Sequence, residues 1–206
     1  MPVNLLLDPV ARRREHARSA SRRRARSIAR DVRSMRAIES PSLRLEPLAA
    51  AHADEMFRPM SAAAIYDYMP GQPPTSVSAL RERYAHLEKG CSADGSERWL
   101  NWVVRLKSGE CVGFVQATIY PQLSGDFAFA FAPAYWGRGI AFEACRAVLP
   151  GLGRDFDVRT LFATVDPRNS RSIRLLQRLG LVEVQSVRYP HGDVAPDDRV
   201  FMVVCG

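Results

Sequence analysis

The chain has 206 residues, 47% hydrophobic and 25% charged. This is the composition of a globular protein with one well-buried core, not of a collagen, a mucin-like stalk or a fully disordered chain. No run of 18 apolar residues occurs, so no membrane-spanning helix is expected. Eleven of the 29 basic residues and four of the 22 acidic ones fall in residues 1–40, leaving 18 of each sign in 41–206. The net charge of +7 therefore belongs to the first segment. A basic body gripping nucleic acid along a groove is not supported.

Residues 1–40 read as an Arg-rich extension, disordered or partly helical, because a helix polar nearly all round buries no core. Its Arg, Ser and Ala fit an organellar transit peptide, a nucleic-acid-binding tail, or a leader ahead of a start at Met35. From residue 41 the pattern changes. Residues 43–48 (LRLEPL) alternate as a strand. Residues 49–58 and 61–68 predict helices, and PGQPP (70–74) breaks them. Thr75 caps a helix running to about residue 88, with Leu80, Tyr84 and Leu87 on one face. Residues 99–106 and 110–119 form a hairpin around Lys107-Ser-Gly109. Residues 126–132 (DFAFAFA) alternate again. Gly137-Arg-Gly139 opens a helix to about residue 149. A strand (159–165), a helix (168–179) stopped by Gly180, and strands over 181–187 and 198–205 follow. Early antiparallel hairpins followed by strand–helix–strand units imply one mixed α/β sheet.

Cys91, Cys111, Cys145 and Cys205 lie far apart with no CxxC or Cys/His ligand spacing. No metal site is expected, and the thiols read as small buried hydrophobes of a reducing cytoplasm. His52, His86 and His191 have no partner motif and are not assigned to catalysis.

The chemistry-bearing stretch is AFAFAPAYWGRGIA (128–141). A strand runs into a glycine-bearing turn, and the turn opens a helix whose first N–H groups and positive dipole end suit a phosphate or pyrophosphate. The spacing matches neither GxxxxGK[ST] nor GxGxxG. WGRGIA (136–141) resembles the acetyl-CoA loop Q/R-x-x-G-x-G/A of the GNAT N-acetyltransferases. PAYWGRGIAFEA (133–144) is similar to that loop in the branch containing the ribosomal-protein N-terminal acetyltransferases. DPRNSRSIRLLQRLGL (166–181) resembles the N-x-x-S helix and L-G-F element of the same branch, and LRLEPL its opening strand. Trp136 stands where the wider superfamily prefers Gln or Arg, Ala141 replaces glycine, Leu181-Val182 replaces the G-F step, and Asp126 stands where many relatives have Glu.

The resemblance implies a single GNAT domain, an α/β (α+β mixed sheet) acyl-CoA N-acyltransferase fold over 41–206, with the extension 1–40 ahead of it. It implies that Trp136, Gly137, Arg138, Gly139, Ile140 and Ala141 form the acetyl-CoA pyrophosphate loop. The backbone of Phe129, Ala130 and Phe131 would pair with the pantetheine arm, and Asn169 would bond it near the thioester. Ser172 would face the sulfur, and Asp126 would relay the amine proton. Asn169 also suits a helix N-cap, and the alternate Phe residues suit a core. Glu143 is implied to be a structural acid. The acceptor cleft would lie between 56–74 and 189–198, the first apolar and aromatic (Phe57, Ile65, Tyr66, Tyr68, Met69), the second acidic (Asp193, Asp197, Asp198). The expected activity is acetyl transfer from acetyl-CoA, a cosubstrate, to a protein N-terminus or small-molecule amine, without metal. The expected protein is a cytoplasmic monomer or homodimer without membrane contact. The alternative is a non-catalytic CoA-binding protein whose basic extension contacts nucleic acid or ribosomes. Transfer from a longer acyl-CoA is a third reading.

Overall fold

The computed structural model describes residues 35–205, so the Arg-rich stretch 1–34 and its expected transit or nucleic-acid role lie outside the described residues. Strands β1 (Ile38–Glu39) and β2 (Leu43–Pro47) are followed by helices α1 (Ala53–Met60) and α2 (Val77–Leu87). Strands β3 (Arg98–Leu106), β4 (Cys111–Ile119) and β5 (Ser124–Phe131) come next, then α3 (Ile140–Phe156), β6 (Thr160–Val165), α4 (Ser170–Arg178), β7 (Val182–Val184) and β8 (Arg199–Val204). They build one eight-stranded sheet in the order β1-β2-β3-β4-β5-β6-β8-β7. Every neighbouring pair is antiparallel except β5 and β6.

β4 (CVGFVQATI) is buried at every position, as a strand covered on both faces must be. One face packs Leu100, Trp102, Val115, Ala117, Phe127 and Phe131 against the Ala144, Cys145, Val148, Leu152 and Phe156 stripe of α3. The other packs Trp99, Val103, Phe114 and Ala130 against Met56 and Met60 of α1 and Leu80, Tyr84 and Leu87 of α2. Phe127 and Phe131 are thus core side chains on one sheet face, with Phe129 half-buried beside them.

Four elements differ from the sequence expectation. α3 continues through Pro150 to Phe156 rather than ending near residue 149. Proline inside a helix costs about 3 kcal/mol, but burying Leu152 and Phe156 contributes about 3–6 kcal/mol, so burial wins. The expected helix 61–68 is only a 3-10 turn at Ala63–Ile65. Ser61 Oγ donates back to Phe57 O and Tyr66 Oη to Met60 O, folding this segment onto the end of α1. The cap of α2 is Ser76, whose side chain accepts from Ala79 N, not Thr75. The strand expected over 181–187 stops at Val184, and a 3-10 turn at Ser186–Arg188 brings Tyr189 inward.

The sheet also begins earlier than residue 41, since Ile38 and Glu39 pair with Leu45 and Arg44. A carboxylate holds this edge. Glu143, in the first turn of α3, accepts from Ser40 Oγ (2.7 Å), Ser42 N (2.8 Å) and Ser42 Oγ (2.7 Å). Partial burial raises the Glu143 carboxyl, but the Ser42 and Ser40 hydrogen bonds outweigh it and hold the group below the usual carboxylate range. A depressed folded value means the stabilisation is full above the unfolded pKa and is lost as pH falls through the folded one. Glu143→Gln should therefore cost about 1 kcal/mol at neutral pH, a drop of roughly 2–4 °C in Tm. Thermal melts across pH 3–7 should show the gap to wild type closing at the acid end.

Candidate active site

β5 and β6 pair only at Ser124–Thr160, Gly125–Leu161 and Asp126–Phe162. Beyond Asp126 the two strands part, although β5 runs on to Phe131 and β6 to Val165. The parting opens a cleft of about 940 Å³. On the β4 side β5 stays fully paired, up to Gly113–Phe131. Ala132 N donates to Val112 O and Ser124 O accepts from Tyr120 N, so even-numbered backbone groups point at β4. By strand alternation the odd-numbered groups point at the cleft. Phe129 therefore presents both N–H and C=O there, and Phe131 its N–H, while Phe131 O accepts from the Trp136 indole at 2.7 Å. Ala130, expected to offer backbone to a ligand, pairs with Phe114 in β4 and contributes only its side chain.

At one end of the cleft lies the N-terminus of α3. Gly139 is its cap, at φ 78°, and has no side chain to satisfy the first amides. The first intrahelical bond is Glu143 N to Gly139 O, so Ile140, Ala141 and Phe142 present N–H groups that no helical carbonyl takes up. Gly137 adopts φ 75°, and a Cβ at either glycine would meet nothing within 4 Å. The left-handed conformation and the open approach together explain both glycines. Arg138 is exposed and absent from the cleft wall; its guanidinium lies over the Tyr135 ring at 5.6 Å. The cationic side chains on the wall at this end come instead from α4. Arg171, Arg174 and Arg178 share one helix face, with Arg171 over Trp136 at 4.9 Å and Arg178 over Phe142 at 4.3 Å. Their spacing was visible in the sequence, but their alignment with the α3 N-terminus was not.

α4 opens on Asn169, whose Oδ1 accepts from Ser172 N at 3.1 Å. This is the N-cap that Asn favours, and it leaves the Asn169 amide nitrogen to other partners. Asn169 and Ser172 both line the cleft.

The other end is acidic and aromatic. Asp126 accepts from Tyr120 Oη (2.8 Å) and Tyr189 Oη (2.9 Å). His191 stacks on Tyr120 at 4.0 Å and meets Tyr189 edge-on. Asp198 lines the cleft, and partial burial, with Asp166 and Asp197 nearby, pushes its carboxyl above the usual range. Asp193 and Asp197, expected beside it, do not line the wall. Ala64, Ile65, Asp67, Tyr68, Met69 and Pro70 form the facing side, with Arg168, ion-paired to Asp166 at 2.6 Å, over the Tyr68 ring. Phe57 and Tyr66, expected there, instead pack into the core beside α1. Gln116 on the wall was not foreseen, because strand register brings it in. Tyr189 lies in the expected 189–198 segment, but its bond to Asp126, shared with Tyr120, was not foreseen.

Among the described residues, no group of three or more His, Cys, Asp or Glu could hold a metal ion, and no helix is long and apolar enough to cross a membrane. The cysteines are free; burial pushes the Cys111 thiol up to about 11 and Cys145 higher still.

The family model of the GNAT acetyltransferase domain matches residues 42–182. The chain belongs to the GNAT acetyltransferase family. Solved members share its fold. A GNAT-family acetyltransferase from Bacillus anthracis is 19% identical, covers 82% of this chain and 98% of its own, and superposes with a TM-score of 0.65. The ribosomal-protein-S5-alanine acetyltransferase of Vibrio fischeri is 17% identical over 82% of this chain and 97% of its own, at 0.67. The spermidine N-acetyltransferase of Vibrio cholerae, solved with CoA and spermine, is 20% identical over 80% and 96%, at 0.64. Among curated proteins, the uncharacterized protein YkkB of Bacillus subtilis (strain 168) is 31% identical over 91 residues. That match spans 44% of this chain and about half (52%) of YkkB.

Proposed function

We propose that the protein transfers the acetyl group of acetyl-CoA to a primary amine by direct attack of the amine on the thioester. The observation that carries this reading is the polarity of the cleft. Open helix amides and three arginines lie at one end, carboxylates at the other, and unpaired strand backbone between them. A phosphate-bearing thioester and a cationic amine need opposite fields, and here each has its own end.

The amides of Ile140, Ala141 and Phe142 hold the pyrophosphate, with Arg171, Arg174 and Arg178 adding charge from α4. Phe129 and Phe131 backbone groups pair with the pantetheine amides, and the Asn169 amide nitrogen bonds the same arm. The acceptor enters past Asp198 and Tyr68. It must lose a proton to attack, and an α-amine near pKa 8 gives it up more readily than a lysine near about 10.4. Asp126 takes that proton. The acetyl carbon–sulfur bond breaks as the carbon–nitrogen bond forms, and the sulfur leaves as thiolate toward the Ser172 hydroxyl, which donates a hydrogen bond to it. A thiol near about 8.5 is a good leaving group without full protonation, so Ser172 positions rather than drives.

Two outcomes test this. Calorimetric titration of acetyl-CoA should show binding to the wild type and none to Gly139→Trp. Its side chain enters open space but must adopt a positive φ, a cost of about 1–2 kcal/mol, so a thermal melt accompanies the titration to show that the variant is folded. In an amine panel monitored by CoA release, Asp126→Asn should lower kcat about 10²-fold or more with acetyl-CoA affinity unchanged. An unchanged kcat would remove Asp126 from the proton path.

A further inference from the structure

Gln116 is an odd residue to find on the cleft wall. It sits mid-β4, is 4% exposed, and its Oε1 is buried without a hydrogen-bond partner. A buried carbonyl oxygen without a donor is costly and uncommon in a native fold. The cross-strand neighbour of Gln116 on β5 is Ala128, followed on the same face by Ala130. Ala128 is itself only half-buried, facing the cleft. Two residues along, on this same face, Thr118 pairs with Asp126. Gln116 and Asp126 are thus diagonal neighbours across β4 and β5, about 7–8 Å apart. A small molecule with its nitrogen at Asp126 would have its next few atoms over Ala128 and Gln116.

We propose that Gln116 is the specificity-determining residue of the acceptor site. Its carboxamide oxygen accepts a hydrogen bond from a second donor on the substrate. The preferred acceptor is then a primary amine carrying another N–H a few bonds from the reacting nitrogen. A peptide amino terminus, through its first peptide N–H, and a small diamine both supply that chemistry. The inference rests on the acetyl-transfer reading above. The rival role for the carboxamide is internal. Asn101, its cross-strand neighbour on β3, leaves Nδ2 buried without a partner, and one buried water between the two amides would satisfy both.

The test uses the full chain, acetyl-CoA and two matched acceptor pairs. One pair is Ser-Ala-amide against the same dipeptide methylated on its peptide nitrogen. The other is propane-1,3-diamine against propylamine. In wild type, kcat/KM should favour the donor-bearing member of at least one pair by about tenfold or more, and the pair that responds identifies the source. Gln116→Leu keeps the volume and removes the orphaned oxygen, so it should fold, which acetyl-CoA titration checks. In this variant the preference should collapse to about one, mostly through KM. Gln116→Met should behave alike. A preference unchanged in both variants, or absent from wild type in both pairs, overturns the assignment and leaves Gln116 as a core amide bridged to Asn101. CoA release with no amine, while acetyl-CoA still binds, overturns the acetyl-transfer reading and this inference with it.

Discussion

The separation of β5 from β6 after Asp126 and Phe162 is the constraint on which the rest of the molecule depends. A strand in mid-sheet has both rows of backbone groups bonded, and each group buried without a partner costs free energy. β5 gives up one row beyond Asp126, which is tolerable only where water or a ligand supplies the missing partners. Its other row remains locked to β4, whose nine positions are all buried, so the half-open strand cannot shift. The Trp136 indole takes Phe131 O and closes the far limit of the opening.

The charge arrangement follows from the same divergence. Because β5 leads through Gly137 and Gly139 into α3, the positive helix terminus arrives at one end of the cleft. Because β6 leads into α4, the Arg171, Arg174 and Arg178 face arrives beside it. The other end lies where β5 and β6 still touch. There Asp126 at the last paired position meets Tyr120 from the β4–β5 turn and Tyr189 from the return to β8. The Glu143 clasp lies behind the α3 terminus and ties it to the first two strands. The phosphate-facing helix is thus braced from the sheet edge as well as from the core.

What was legible in the sequence was local. Gly137 and Gly139 announced a turn opening a helix, Asn169 announced a cap, and the alternation around Phe127, Phe129 and Phe131 announced a strand with one apolar face. What was not legible depends on register or on burial far along the chain. Nothing near Gln116 says that Ala128 will lie opposite it, and nothing near Tyr189 says that a short turn will aim its hydroxyl at Asp126. The halt expected before Pro150 failed for a related reason, since the stripe that carries α3 onward pays off only once the sheet is beneath it. The split roles of Phe129 and Ala130 backbones required knowing which neighbour β5 keeps.

The most direct measurement is residue-resolved amide hydrogen exchange of the full chain with and without acetyl-CoA. Slowed exchange is expected at Phe129 and Phe131 of β5 and at Ile140, Ala141 and Phe142 of α3. Ala128 and Ala130, whose amides already bond β4, should change little. Binding without added protection at Phe129 and Phe131 would contradict a ligand lying between the parted strands.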